Sequence, residues 1–391
     1  MGDVLSFAFV IWSGLLLTFA GVPVFYYLYM SHVSSRPWNV KKDEGYRPSV
    51  TVLVPVYNEE KVIRFKLENL TKLEYPKDKL QIIVVNDGST DNTIQEILDF
   101  QTANLWVNVL DNLEHIGKTA CLNSALEHVR TEIVVVSDAD CFLPPDILCR
   151  ALPFLSDSSV GAVTGLEVLM NPRQSWVTET EILYNSIVHT IRIGESKVNS
   201  TIFFQGGFGA YKRSLLDKFD VEADDSGTAL NIVQKGAKTL LLPEAVYFTT
   251  FPSDWKGKVA TKLRRAHQLV RIWFRCLKLF LRGKLLLPKR IFIPEAFLYL
   301  VNPFIFVFLA TATFLVALES LIFLLVLSAL LIAVLASRRV RTLVVEGFQD
   351  HLVLLGAIFS SILKRKFSLW TTIEVSRSSL TREMLENKGL V

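Results

Sequence analysis

The chain of 391 residues is half hydrophobic, and its mean hydropathy is +0.35. That composition is too apolar for an ordinary soluble protein of this size, so part of the chain is expected to lie in a membrane. The formal net charge of +4 is modest and indicates no particular partner, and the four cysteines show no CxxC spacing, so neither a zinc site nor a disulfide framework is expected.

The first expected element is a membrane anchor within residues 1–33. Residues 4–30 are almost uncharged and long enough to cross a bilayer with some tilt. A cleaved signal peptide is the competing interpretation, but Asp3 stands where a basic residue is expected and the apolar stretch is too long. Bases follow within residues 34–47, so the positive-inside rule predicts that the next domain is cytoplasmic.

Residues 48–250 are predicted to form an α/β domain. Apolar runs alternate there with helix-like stretches, which indicates crossover connections and a mostly parallel sheet covered by helices. The expected strands are residues 51–56, 81–85, 105–110, 133–136, 161–168 and 239–242. The expected helices are residues 60–70, 92–103, 118–129 and 145–154.

Two of these apolar runs end in acids, as IIVVNDGSTD at residues 82–91 and VVVSDADC at residues 134–141. Ligands bind just beyond the carboxyl ends of parallel strands, so such acids are expected to face a crevice. Asp91 is better explained as a cap of the next helix. Asp138 and Asp140 are followed by two prolines that open the next helix, which leaves both acids in a loop. A divalent cation with oxygen ligands would relieve their repulsion.

Residues 251–290 carry many bases among large apolar side chains. This pattern is typical of basic helices in the cytoplasmic headgroup layer. Nucleic-acid binding is the rival interpretation, and the adjoining apolar runs argue against it.

The apolar runs at residues 296–317 and 321–336 predict a transmembrane hairpin within residues 291–337. In the segment 338–391, a shorter run at residues 352–363 has charge on both flanks, including the bases at residues 364–366. It is either a third C-terminal crossing or an interfacial helix that leads into a cytoplasmic tail.

Six ordered motifs carry a family resemblance. They are VPVYNEE (54–60), VVNDGSTDNT (84–93), GKTACLN (117–123), SDAD (137–140), FFQGGFGAYKR (203–213) and ADDSGTAL (223–230). The set resembles the membrane-anchored family 2 glycosyltransferases, whose relatives include cellulose, hyaluronan and chitin synthases and the polyprenyl-phosphate sugar synthases. The resemblance covers about residues 48–273 and implies a GT-A fold, a nucleotide-sugar donor and inverting transfer.

The resemblance also implies roles for individual residues. The donor-binding residues it implies are Pro55, Tyr57, Glu59, Asp87, Lys118, Asp138, Arg264 and Arg265. The acceptor-binding residues it implies are Phe204, Gln205, Gly206, Gly207, Gln268, Arg271 and Trp273. A divalent cation, Mg²⁺ or Mn²⁺, is expected on Asp140 with Asp138 and would neutralise the departing diphosphate. Asp225 matches the general base of the family, with Asp224 in place of the family's glutamate.

Several of these residues have plain structural alternatives. Asp87 precedes a glycine and is equally typical of a turn. Lys118 at a helix start is also typical of a solvated lysine, and the acid pair Asp224 and Asp225 of a solvated loop. An acceptor that is an already ionised lipid phosphate would need no general base.

One departure from the family pattern lies downstream. Processive members carry QxxRW, whose tryptophan stacks on the acceptor sugar, whereas this chain reads TKLRRAHQLVRIW at residues 261–273. Aligning Arg264 with the family arginine puts Arg265 at the tryptophan position, and the later alignment on Arg271 puts Ile272 there. The motif is therefore incomplete, and single-sugar transfer is favoured over long polymerisation.

The sequence therefore predicts a membrane-anchored, cytoplasm-facing glycosyltransferase that uses a nucleotide sugar, with a UDP-sugar favoured over a GDP-sugar. A membrane lipid or lipid-linked glycan is the expected acceptor, and no nucleic-acid partner is expected. A processive polysaccharide synthase is the alternative within enzymes. A nucleotide-sensing membrane protein without turnover is the alternative outside them.

Overall fold

The computed structural model describes residues 2–363 and 380–391, so the predicted basic flank at residues 364–366 lies outside the described residues. The described chain divides into two compact units. We call residues 32–258 with 380–391 the sheet unit, and residues 2–31 with 259–363 the helical unit.

The described helices alternate with strands up to residue 249 and follow one another after it. The helices are α1 (Gly2–Ser34), α2 (Ile63–Thr71), α3 (Thr93–Ala103), α4 (Lys118–Leu126), α5 (Ile147–Ala151), α6 (Trp176–Val198), α7 (Asp224–Val233), α8 (Trp255–Leu281), α9 (Lys289–Ala296), α10 (Asn302–Glu319), α11 (Leu321–Ala336), α12 (Arg338–Ile362) and α13 (Arg382–Glu386). The strands are β1 (Val50–Val56), β2 (Leu80–Asp87), β3 (Val107–Asn112), β4 (Ile133–Val136), β5 (Val160–Leu169), β6 (Gly209–Lys212) and β7 (Lys238–Thr249).

These strands form one sheet in the order β3-β2-β1-β4-β6-β5-β7. Only β6 runs antiparallel to its neighbours among the described strands, so the predicted mostly parallel sheet is confirmed. All seven residues of β1 are buried. Val52 and Val54 face one apolar cluster and Leu53 faces the other. Because both faces of this parallel strand are buried, its sequence is a continuous apolar run without alternating polar residues.

The order of the strands creates a crevice at the carboxyl end of the sheet. From β1 the chain moves outward to β2 and β3, and then returns to place β4 on the other side of β1. Such a reversal is where open α/β sheets bind ligands. Pro55 is tolerated in β1 because the β1–β4 ladder has already ended at Leu53 and Val136, so no partner strand needs its missing N–H there.

The structure corrects several predicted elements. The helix predicted at residues 145–154 begins at Ile147 and continues after Ala151 as a 3₁₀ turn. The strand predicted at residues 239–242 is part of the longer β7, because a register shift near Gly165 lets the pairing with β5 resume beyond Pro243. Strand β6 and the helices α6 and α7 were not predicted.

Asp91 was predicted to cap α3, but the N-cap is Asn92 and Asp91 lies one residue before it. Its Oδ1 atom accepts hydrogen bonds from the backbone N–H of Thr93 (3.0 Å) and from the Thr93 hydroxyl (2.5 Å). The side chain thus satisfies a donor at the start of α3 that has no partner within the helix.

Among the described helices of the chain, three segments are long and apolar enough to cross a membrane. They are Phe7–Ser34, Lys289–Glu319 and Val340–Ile362. The second leg of the predicted hairpin is the shorter helix α11, and the run predicted at residues 352–363 is the end of α12. Within the helical unit, Lys262 of α8 pairs with Glu346 and with Asp350 (2.7 Å) of α12, so these charges are compensated.

Candidate active site

The DxD turn follows directly after β4. Asp138 is held by its backbone, whose N–H donates to the carbonyl of Gly206 at 2.9 Å. Its side chain is held by Lys118, whose Nζ atom lies 2.7 Å from Oδ1. The structure therefore brings together residues from three of the predicted motifs, namely SDAD, GKTACLN and FFQGGFGAYKR.

The start of α4 also contacts the start of α7. Lys118 Nζ lies 3.4 Å from Oδ2 of Asp225, and the Thr119 hydroxyl donates to Oδ1 of Asp224 at 2.5 Å. Two successive residues of one helix thus hold the two successive acids of the other. Asp224 has a φ of 42°, a left-handed conformation that is uncommon outside glycine, which shows that tertiary contacts fix this turn.

Burial sets the protonation properties of the pair formed by Lys118 and Asp225. Asp225 is only 8% exposed. Desolvation raises the pKa of Asp225 to about 6 against the opposing effect of Lys118, and the nearby Asp138 and Asp224 raise it further. Desolvation by itself would lower the pKa of Lys118, but the carboxylates of Asp138 and Asp225 outweigh it and hold that pKa above its ordinary value. Lys118 is therefore a permanent cation between two acids.

The predicted acceptor segment lies against the same turn. Phe204 is buried, and its carbonyl accepts a hydrogen bond from the hydroxyl of Ser226 on α7 at 3.1 Å. Gln205 accepts a hydrogen bond from the hydroxyl of Tyr247 at 2.5 Å. Gly207 packs so closely on the ring of Tyr247 that a Cβ atom would overlap it. Tyr247 was not among the predicted site residues, because β7 was predicted to end before it.

Gly206 is predicted to be intolerant of even a methyl group. A Cβ atom there would overlap Oδ2 of Asp138 and Nζ of Lys118. Substitution of Gly206 by alanine should force this ion pair apart and lower kcat/KM by about 10²-fold, as an ångström-scale misplacement of catalytic groups can. Steady-state kinetics would measure the loss. Gly45→Ala, in an exposed turn, serves as the control and should stay near the wild-type value, and unchanged activity of Gly206→Ala would contradict the close packing.

The predicted nucleoside-binding residues lie around the ends of β1 and β2. Asp87 is fully buried, and its carboxylate accepts hydrogen bonds from the backbone N–H groups of Ile116 (2.7 Å) and Gly117 (2.9 Å). His115 Nδ1 lies 2.8 Å from the same carboxylate, and the His115 ring stacks on Tyr57 with centroids 3.9 Å apart. In this structure Asp87 therefore anchors the loop before Lys118, and its contact with a base stays a prediction.

The motif VPVYNEE is held by the segment that joins β2 to α3. Glu59 is buried, and its backbone N–H donates to the Thr93 hydroxyl at 2.7 Å. Asn58 was not among the predicted site residues, yet it has a left-handed φ of 51° and its side-chain oxygen accepts from the backbone N–H of Thr90 at 2.8 Å. Its position before two acids was the available signal, because asparagine tolerates this conformation better than most residues.

Lys66 on α2 is a second residue that sequence reasoning missed. It is fully buried, and its Nζ atom donates to the Ser137 hydroxyl (2.6 Å) and the Cys141 carbonyl (2.5 Å), so it contacts both ends of the DxD turn. Burial lowers the pKa of Lys66 to about 8, while Cys141 and the acids Asp138 and Asp140 act in the opposite direction. No sequence signal distinguished it from an ordinary surface lysine of an amphipathic helix.

The donor set at the DxD turn fits a divalent cation that substrate completes. Among residues 2–363 and 380–391, no cluster of three or more His, Cys, Asp or Glu side chains suits a metal. Asp138 and Asp140 supply carboxylate oxygens, and the missing side chain of Gly206 keeps the space beside Oδ2 of Asp138 clear of carbon. Mg²⁺ and ions like it are commonly bound by one or two carboxylates together with substrate phosphates.

The remaining predicted residues lie on α8, in the helical unit. Arg264 is exposed, whereas Arg265, Gln268 and Arg271 are partly buried. Trp273 is 0% exposed, and its ring stacks on that of Tyr299 with centroids 6.0 Å apart. The donor and acceptor roles of these α8 residues stay predictions.

A solved structure shares almost the whole architecture. The chain is 32% identical to a mannosyltransferase from Pyrobaculum calidifontis, with a TM-score of 0.78 over 91% of this chain and 99% of that one. That enzyme was solved in complex with GDP-Man and Mn²⁺.

Curated relatives match over shorter regions. A poly-beta-1,6-N-acetyl-D-glucosamine synthase of Staphylococcus epidermidis is 29% identical over 48% of this chain and 46% of its own length. A beta-monoglucosyldiacylglycerol synthase of Nostoc sp. is 30% identical over 40% of this chain and 34% of its own length. The chain thus spans half or less of these two relatives.

Residues 51–220 match the model of the family described as glycosyl transferase family 2. This region holds β1 to β6 and the DxD turn. The resemblance predicted from the motifs is confirmed, and the chain belongs to glycosyltransferase family 2 with its GT-A fold.

Proposed function

We propose that the protein is a metal-dependent, inverting glycosyltransferase that moves one sugar from a nucleotide donor to a membrane lipid or lipid-linked acceptor at the cytoplasmic face. The observation that carries this proposal is the position of Lys118, which lies 2.7 Å from Asp138 and 3.4 Å from Asp225. The ammonium group of Lys118 thereby contacts both a donor-side acid, Asp138, and the proposed general base, Asp225.

The roles of the side chains follow from that geometry. A Mg²⁺ or Mn²⁺ ion held by Asp140 and Asp138 would supply positive charge to the leaving diphosphate. Lys118 adds a fixed ammonium group beside it, which favours the anionic leaving group. Asp225 accepts the proton of the acceptor hydroxyl, because a carboxylate with a pKa of about 6 is largely ionised at neutral pH and still a stronger base than an ordinary aspartate.

The surrounding residues position these groups. Asp224 is held by Thr119 and keeps Asp225 at the start of α7. The rings of Tyr57 and His115 stack on each other, and we assign this stack, together with Pro55, Glu59 and Asp87, to the binding of the donor's base. We assign the segment from Phe204 to Gly207 to the acceptor side, and Arg264, Arg265, Gln268, Arg271 and Trp273 to donor and acceptor contacts of α8.

A membrane acceptor is supported by the apolar helices. Three described segments are suited to crossing a bilayer, and a tethered enzyme meets lipid acceptors at a raised effective concentration. We assign residues 1–33 to the anchor, 48–250 to the GT-A domain, 251–290 to the interface and the rest to further spans and the tail. The match to the Nostoc glycolipid synthase supports a lipid acceptor, and the match to the staphylococcal synthase supports polymerisation as the second candidate.

The donor is proposed to carry guanine. The structurally similar mannosyltransferase was solved with GDP-Man, so the expectation of a UDP-sugar over a GDP-sugar is not supported. We therefore name GDP-mannose as the first donor to test and UDP-glucose and UDP-N-acetylglucosamine as its competitors.

The test uses the full chain in lipid nanodiscs with Mn²⁺. Each radiolabelled donor is supplied with vesicles that contain diacylglycerol or polyprenyl phosphate, and the products are extracted and sized. The expected result is one discrete lipid-extractable species from GDP-mannose, together with release of GDP. A long water-soluble polymer would favour the processive synthase. Tight nucleotide binding without sugar transfer or donor hydrolysis would contradict an enzyme altogether.

A further inference from the structure

The segment after the described helical region returns to the sheet unit. Residues 380–391, which we call the C-terminal strap, contain the short helix α13. Leu385 and Leu390 of the strap are 0% exposed and form an apolar cluster with Phe142 and Met170. Burial of these two apolar side chains stabilises the strap on the sheet unit, so the strap is a packed part of this unit.

Polar contacts fix the strap on α2. Asn69 donates through Nδ2 to the carbonyls of Leu390 and Leu143, both at 2.8 Å, and its Oδ1 accepts from the N–H of Leu143 at 2.8 Å. Arg382 of the strap lies 3.0 Å from the carboxylate of Glu68. One asparagine thus joins the strap to the residues that leave the DxD turn.

The DxD turn is held on the same surface. Lys66 lies one helical turn before Asn69 and donates to Ser137 and Cys141, which flank the two acids. Phe142 comes next along the chain and exchanges backbone hydrogen bonds with Phe248 at 2.7 and 2.8 Å. The ammonium group of Lys388 in the strap lies 4.9 Å from the centre of the Phe248 ring. The strap therefore packs on both strands of the bridge that ends the turn.

We propose that the C-terminal strap positions the metal-binding acids, with Leu385 and Leu390 acting as positioning residues through Phe142 and α2. The proposal rests on the assignment of Asp138 and Asp140 to the cation. Removal of groups that contact and orient metal ligands typically weakens metal binding about 10- to 100-fold.

The strap also constrains how the chain crosses a membrane. Residues 32–258 and the strap fold as one unit, so both lie on the same side of the bilayer. The intervening chain must then cross an even number of times. We therefore expect two crossings in this part of the chain, for which the segments Lys289–Glu319 and Val340–Ile362 are long and apolar enough.

The first test measures Mn²⁺ binding, not turnover. Electron paramagnetic resonance titration of the full chain with Mn²⁺ in the presence of GDP gives the affinity of the loaded site. We expect the double variant Leu385→Ala/Leu390→Ala to bind Mn²⁺ about tenfold more weakly. We expect Leu385→Met/Leu390→Met, which keeps the apolar volume, to restore most of that affinity. Glu383→Ala, at an exposed position of the same helix, is the matched control and should bind as the wild type does.

Binding of GDP in EDTA separates positioning from unfolding. The proposal expects the alanine double variant to keep wild-type GDP affinity without metal. Wild-type Mn²⁺ affinity in that variant, or equal loss of GDP binding in EDTA, would overturn the positioning role. Absence of sugar transfer by the wild-type protein would contradict the proposed function. The Mn²⁺ titration would still test the positioning role of the strap, because it does not depend on turnover.

The second test locates the two ends of the unit. The variants Asn39→Cys and Lys388→Cys, each made in a chain whose native cysteines are replaced by serine or alanine, are labelled with an impermeant maleimide in sealed vesicles. The strap proposal expects both positions to be labelled from the same side. Labelling from opposite sides would show that the strap cannot pack on the sheet unit, and would overturn the proposal whatever the enzyme's substrate.

Discussion

Replacing Asp225 with asparagine is expected to lower the rate of sugar transfer by about 10²- to 10⁴-fold, the usual contribution of a general base. The asparagine amide keeps the shape of the side chain, but its oxygen is too weakly basic to accept the proton of the acceptor hydroxyl. Asp225 Oδ2 lies 3.4 Å from the permanent cation Lys118, so the substitution also removes one of that cation's two acidic partners in the site. Donor affinity should change far less than turnover, because Asp138 still holds Lys118 at 2.7 Å.

The pH dependence of the wild-type enzyme provides a second sign of the same role. The pKa of Asp225 is raised to about 6, chiefly by burial. The base acts when it is ionised, so turnover should rise as the pH increases through about 6 and level off above it. Glu222→Gln, at an exposed acid two residues before the pair, should preserve both rate and profile. A rate for Asp225→Asn within a factor of two of wild type would indicate an acceptor that is already ionised, such as a lipid phosphate.

Replacing Asp140 with asparagine is expected to lower transfer by about 10³-fold, which corresponds to roughly 4 kcal/mol of transition-state charge stabilisation. The neutral amide is a weaker ligand for a hard cation, so the Mn²⁺ concentration for half-maximal rate should also rise. Chelation of the wild-type enzyme with EDTA should produce a comparable loss that added Mn²⁺ reverses.

The matched control for that variant is Asp146→Asn. Asp146 is an acid six residues along the chain that pairs with Arg150 at 2.5 Å and lies outside the DxD turn. It should retain the wild-type rate and the wild-type dependence on Mn²⁺. An Asp140→Asn enzyme that keeps full activity in EDTA would remove the cation from the mechanism.

The sequence predicted the parts of the fold that bury apolar side chains. Central strands such as β1 and β4 are continuous apolar runs, and their positions were predicted to within a residue. Helix α6 was missed because its buried face is largely polar, with Thr180, Glu181 and Arg192 among the residues it buries. A helix with a polar buried face shows no hydrophobic periodicity in its sequence. Strand β6 was missed because GAYK is short and begins with glycine, a weak strand former.

The site was predictable where acids follow strands, and less so where packing positions them. Asp138, Asp140 and Asp225 were predicted from motifs, and in the structure Asp138 and Asp225 lie 2.7 Å and 3.4 Å from Lys118 Nζ. Lys66 was not predicted because its role depends on burial. The sequence of an amphipathic helix does not show which of its lysines are buried. The strap was not predicted because its contacts with α2 join residues more than three hundred positions apart, and local sequence patterns do not show such contacts.

The central claim is that a cation on the DxD turn meets the diphosphate of the donor. The most direct measurement is a crystal or cryo-EM structure of the full chain with GDP and Mn²⁺, with the metal located by anomalous scattering in the crystal. We expect an anomalous peak about 2 Å from a carboxylate oxygen of Asp140 and in contact with the phosphates. A diphosphate bound away from Asp140, or bound beside it without Mn²⁺, would contradict the metal-dependent mechanism.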